Sequence, residues 1–168
     1  TFNGAARKGS GAKNADGGSS GVGGGAWDFA LTGDGTSMGV DGLAMGVGYG
    51  EAETGETGED KHSTIFANYS FGMATVGISM SEIDRGITAK NDEDATAIGI
   101  AVNINDNFSV SYGERTIEHV IPSATNVDED ISGVAMSYTM GSAKLTVQQN
   151  ETDANGGTVG LKDENTEI

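Results

Sequence analysis

His62 and His119 are the chain's only histidines, and it has no cysteine, so any transition-metal site would have to start from one of these two imidazoles. Neither has a second histidine at a ligand spacing. Both sit among loop-type residues and read as surface histidines, so no metal is expected. Gly23-Gly24-Gly25 and its neighbours contain G-x-G spacings, but no strand precedes them and no phosphate-anchoring Lys-Ser/Thr pair follows. Serine is plentiful, yet none occupies a Gly-x-Ser-x-Gly elbow between a strand and a helix. No nucleophile, base and orienting group can be assembled, which argues against an enzyme and against a cofactor. The chemistry these residue types offer is of another kind: hydroxyls, amides and glycines recurring at every second position, a hydrated surface rather than a reaction centre.

The elements that carry such a surface follow from composition and period. Of 168 residues, 28 are glycine and one is proline, and apolar residues make up 36%, below the roughly 45–50% of ordinary globular chains. Glycine at this density excludes a helical bundle. The net charge of −16, with nine Lys and Arg in all, excludes nucleic acid as a partner, because neutralising phosphates takes clustered cations. No 18-residue apolar run marks a membrane-spanning helix, and no signal peptide is visible. The opening at Thr1-Phe2-Asn3 without a methionine reads as a mature piece or a fragment.

Residues 1–25 are dominated by Gly, Ala, Ser, Asn and Lys and read as a loop. From 26 to 168 the chain reads as one domain of strands, because large apolar residues recur with period two. Trp27, Phe29 and Leu31 alternate with Asp28, Ala30 and Thr32; Leu43, Met45, Val47 and Tyr49 alternate with Ala44 and three glycines. The pattern continues through Ile65–Phe71, Ala74–Ser81, Ile98–Ile104, Phe108–Gly113, Val134–Met140 and Ala143–Gln148, eight strands in all. Only Phe66 breaks the polarity. Short turns at Val40-Asp41-Gly42, Gly72-Met73, Asn105-Asp106-Asn107 and Gly141-Ser142 alternate with long polar loops near 52–62, 85–94, 116–129 and 152–165.

Long loops confined to one end, with strands of about ten residues, predict a transmembrane barrel rather than a sandwich. A soluble barrel would pack its large residues inward and leave an exterior of Gly, Ala, Ser and Thr, with too few charges for a soluble surface. Turned the other way, the large residues face lipid and the small polar ones line a lumen. The all-β fold expected is therefore an antiparallel up-and-down barrel in an outer membrane. Tyr69, Phe71, Phe108, Tyr138 and Met140, beside the short turns, together with Tyr112, are the expected lipid-facing residues and aromatic girdle. Glycine and alanine at so many inward positions would leave voids in an eight-stranded barrel, which predicts a wider parent. The acidic runs of the loops read as plain solvation.

The hairpins Ile65 to Ile83 (IFANYSFGMATVGISMSEI) and Gly133 to Gln149 resemble the strand–turn–strand units of Gram-negative porins, in particular the alphaproteobacterial general porins. The resemblance covers about residues 26–151 and is carried by pattern rather than by a fingerprint. It implies a sixteen-stranded homotrimer in the outer membrane of a Gram-negative bacterium, with lipid, small hydrophilic solutes and ions as its partners. It also implies that several earlier strands are missing and that the sequence stops as a final strand begins, since it ends at Asn165-Thr166-Glu167-Ile168 without the family's terminal aromatic residue. The function expected is passive diffusion of ions and small solutes through a lumen lined by Asp28, Asn68, Ser70, Thr75, Ser79, Asn103, Ser109, Ser111, Ser137, Thr139, Lys144, Thr146 and Gln148. The alternative is a small non-conducting outer-membrane barrel that acts through its loops as an adhesin or structural protein. A calcium-loaded repeat protein is disfavoured, because the visible repeat is about 34 residues rather than nine. An outer-membrane lipase or protease lacks its catalytic groups.

Overall fold

The alternation that runs along the sequence is realised as one antiparallel sheet. The computed structural model describes residues 2–8, 25–53, 59–86, 91–122 and 124–168. In chain order the strands are β1 (Phe2–Lys8), β2 (Gly25–Asp34), β3 (Leu43–Glu53), β4 (Glu59–Phe71), β5 (Ala74–Asp84), β6 (Asp92–Asn105), β7 (Phe108–Val120), β8 (Val127–Met140), β9 (Ala143–Asp153) and β10 (Lys162–Glu167). Each pairs with the next, so sheet order equals chain order, with β1 and β10 at the two edges. This is the up-and-down topology that the short turns require, since antiparallel neighbours are the only ones a tight turn can join.

The eight expected strands are all present, and two more lie outside them. Phe2–Lys8 pairs along its length with β2, so the loop expected over 1–25 gives way to a strand at its start; 9–24 lie outside the described residues. At the other end β10 occupies part of the expected loop at 152–165. The loop-end boundaries also shift. β4 begins at Glu59, β6 at Asp92 and β8 at Val127, while β7 continues to Val120, so much of the charge assigned to loops rides on strands. The backbone ladder continues wherever both edges of a strand find partners, whether or not the side chains alternate in polarity.

Three of the expected turns are tight: Gly72-Met73, Asp106-Asn107 and Gly141-Ser142 are the only residues between their strands. Asn105 closes the second of them by accepting hydrogen bonds from the backbone N–H groups of Asn107 and Phe108 at 2.9 Å each. The connection expected at Val40-Asp41-Gly42 is longer, because a 3-10 turn at Gly35–Met38 precedes it, capped by the Asp34 carboxylate on the Thr36 N–H at 3.0 Å. Gly42 there has φ +84, and a Cβ on it would lie 2.1 Å from the Ser70 carbonyl oxygen, so no other residue fits without moving β4. The pentapeptide Gly35-Thr36-Ser37-Met38-Gly39 spells the nucleophile-elbow motif, but it joins two antiparallel strands rather than a strand and a helix.

A pleated sheet must bury at least one face or offer it to a non-aqueous medium. Among the described residues the only buried apolar side chain is Ala95. Ile65, Ile78, Met80, Ile98, Ile100, Val134 and Leu145 instead stand exposed.

Candidate functional site: the two faces of the sheet

Register, not sequence spacing, decides which side chains share a face. The pairs Asn68 with Gly77, Ser70 with Thr75, Asn103 with Ser109, Ser109 with Ser137, Ser111 with Ala135, Ser137 with Thr146 and Thr139 with Lys144 lie directly opposite one another. Gln148 stands opposite Glu167, and Asp28 opposite Gly50. Ser79 joins through Ala97. All thirteen residues named from the sequence as lumen-lining therefore fall on one face. Ser70 Oγ and Thr75 Oγ1 lie 2.9 Å apart, and Gln148 donates to Glu167 at 2.7 Å.

Glycine keeps this polar face flat. A Cβ on Gly77 would meet Asn68 Oδ1 at 2.3 Å, one on Gly133 would meet Asn150 Oδ1 at 2.5 Å, and one on Gly46 would meet the Phe66 ring at 2.5 Å. In each case a side chain lies down across a neighbouring strand in the space a methyl group would fill. Phe66, the residue that broke the alternation, is accommodated on the polar face in this way.

The opposite face carries the six residues expected on the apolar side. Tyr69 and Phe71 stack with centroids 5.8 Å apart beside the Gly72-Met73 turn. Phe108 lies opposite Tyr138, and Met140 opposite Ala143. Tyr112 is placed differently from the rest: it lies opposite Ile100 and Val134 and donates to Glu114, at the loop-end margin of the apolar band. A second aromatic group marks that margin, which the sequence reading left unassigned as a girdle. Trp27 stacks on Phe29 at 6.3 Å and tilts against Tyr49 at 5.5 Å. Trp27 Nε1 and Tyr49 Oη both donate to the Glu51 carboxylate, at 3.1 and 2.6 Å. These rings present an apolar body on one side and a polar tip on the other.

Towards the loop end the two faces exchange character. Glu82, Asp94, Thr116, Glu118, Asp128 and Asp130 continue the face that was apolar, while Ile83, Ala95, Ile117, Val127 and Ile131 continue the face that was polar. Thr116 donates to Asp130 at 2.8 Å on the first of these. On the second, Arg85 bridges to Glu93 at 2.6 Å and also donates to the Asn91 carbonyl at 2.9 Å, tying β5 to β6. His119, expected at the surface, is instead buried on the same face, with Nε2 2.9 Å from Glu129 Oε2. The signal was there: Ile117, His119, Glu129 and Ile131 alternate with Thr116, Glu118, Asp128 and Asp130. His62, by contrast, is exposed on β4. At the outer edge Lys162 donates to Asp153 at 2.5 Å, and that hydrogen bond and charge raise the lysine's pKa above its ordinary value.

Among the described residues no three metal-ligating side chains are gathered into a cluster. What the arrangement can do is separate media: one face suits hydrocarbon over a limited height, and the other suits water. A family model for Gram-negative porins matches residues 1–157. Neither a curated protein nor a solved structure matches the chain.

Proposed function

This chain belongs to the Gram-negative porin family, and on that premise we propose that it forms a general diffusion pore of the alphaproteobacterial type, passing ions and small hydrophilic solutes through a water-filled lumen. Family membership places the protein in the outer membrane and points to a channel rather than an enzyme. In this reading the thirteen polar-face residues line the lumen, and Tyr69, Phe71, Phe108, Tyr112, Tyr138 and Met140 meet lipid.

The observation that carries the reading is the segregation of the two faces, Phe66 excepted, within a band of limited height. On β5 the outward apolar residues are Ala74, Val76, Ile78 and Met80, followed by Glu82. The whole of β5, 11 residues, matches the roughly 9–11 residues that a tilted strand needs to cross an outer-membrane apolar band. Aromatic rings at both margins complete it. The glycine-flattened polar face supports a barrel wider than the ten strands described, since a narrow one would need large side chains to fill it. Sixteen strands and a homotrimer are the family expectation.

Single-channel recording in a planar bilayer tests the proposal. Stable conductance steps, in threes for a trimer, are the expected result. A folded barrel that never conducts would overturn the diffusion reading and move the function to the loops.

A further inference from the structure

The connection from β9 to β10, Ala154–Leu161, does not stand clear of the rim but folds over the lumen-side face of β7 and β8. It is closed on itself by backbone hydrogen bonds from Asn155 N–H to Leu161 C=O at 3.0 Å, Gly157 N–H to Ala154 C=O at 2.8 Å and Leu161 N–H to Thr158 C=O at 3.1 Å. Left-handed backbone at Ala154, Gly156, Gly157 and Gly160 turns the chain back on itself.

Gly157 rests on His119: a Cβ built there would lie 2.9 Å from both Cγ and Cδ2 of the imidazole. Glycine is required twice over, by the absence of space and by its φ of +72. Beneath it the His119 and Glu129 side chains are only 11% and 10% exposed. Half-buried Ile117 and Ile131 share that face. A surface of this kind, part apolar and part a buried imidazole–carboxylate hydrogen bond, suits a packed segment rather than open water. The segment itself, Ala-Asn-Gly-Gly-Thr-Val-Gly-Leu, carries no charge.

We propose that Ala154–Leu161 is a fixed flap seated inside the barrel mouth, which narrows the diffusion path and screens the His119–Glu129 pair from it. The narrowing role rests on the pore function proposed above; the seat does not. With the flap in place the permeating ion meets an uncharged surface where the wall beneath carries a carboxylate and an imidazole. Without it the path widens and Glu129 is uncovered, which favours cations.

Three variants test this in the refolded, reconstituted protein. Since the chain has no cysteine, H119C combined with G157C gives a pair that can react only with itself within one barrel. The Gly157 Cβ position lies 3.4 Å from His119 Cβ, near the roughly 3.5–4.5 Å of disulfides. Oxidation should consume both thiols in the folded barrel, and the thiol of H119C alone should resist an aqueous maleimide; free thiols after oxidation together with ready labelling of H119C would overturn the seat. Replacing residues 155–160 by two glycines should raise the conductance of each open step and shift the reversal potential in a salt gradient toward cations. Unchanged conductance would overturn the narrowing role. A wild-type protein that never conducts would count against the diffusion reading alone if the flap deletion then opened it. If both stayed closed, the narrowing role would fall as well.

Discussion

Trp27 is the only tryptophan in the chain, and it sits on the apolar face beside Phe29 and Tyr49, so its emission reports which face meets lipid. In vesicles containing brominated acyl chains its fluorescence should be strongly quenched, while iodide in the aqueous phase should have little effect. The opposite pattern would turn the sheet inside out and remove the basis for the lumen assignment. His119 teaches a different lesson at this scale. Spacing to other ligands carries no information about what lies above its imidazole. Its burial comes from Glu129 ten residues on and from Gly157 thirty-eight residues on.

Within a strand, adjacent positions have opposite fates, and β5 offers the cleanest contrast. Ile78 is on the apolar face, exposed and opposite Ile98; Ser79, its neighbour, faces the other way opposite Ala97. Ile78→Arg should lower unfolding free energy in lipid by about 2–4 kcal/mol, the cost of a lipid-facing cation near the bilayer midplane. Ser79→Arg should leave stability within about 0.5 kcal/mol, as surface changes usually do, and instead reduce conductance by filling the lumen. Urea titration of the refolded barrels, paired with bilayer recording, checks both; equal destabilisation by the two changes would refute the face assignment. The same period-two logic explains the misplaced loop boundaries. Strands extend beyond the apolar band, where water replaces lipid outside and packed chain replaces water inside. The alternation therefore reverses phase rather than stopping: Thr116 and Glu118 turn outward, Ile117 and His119 inward. A reading that followed one phase took the reversal for the end of the strand.

For the whole molecule the net charge of −16 has a consequence for permeation. The polar face of the described strands bears Asp28, Asp34, Asp60, Asp163 and Glu167, with Glu129 beneath the 154–161 segment, against Lys144, Arg115 and, by its register position, Arg7, while Arg85 is tied to Glu93. A cleft lined by an excess of one sign concentrates counter-ions, so a potassium chloride gradient should give a reversal potential of cation-preferring sign. The preference should weaken as salt rises and the Debye length shortens. Anion preference would show that charges elsewhere on the path dominate. The sheet edges at β1 and β10 also carry meaning, since unpaired backbone groups are not tolerated in hydrocarbon. The ten described strands leave both edges open, so in a closed barrel each edge must pair with a further strand.

The sequence by itself determined eight of the ten described strands, their order, the three tight turns and the face on which each of the named polar and aromatic residues lies. All of these follow from period-two alternation and from residues that accept turn geometry, which are local properties. The strand at Phe2–Lys8 was hidden because alanine, glycine and lysine give no contrast between its faces; only pairing with β2 defines it. The glycine seats for Asn68, Asn150 and Phe66, the buried His119–Glu129 pair and the inward course of Ala154–Leu161 were likewise decided by tertiary structure. Each depends on which residue of a neighbouring strand or loop stands opposite, and that is set by register and by the path of the returning chain.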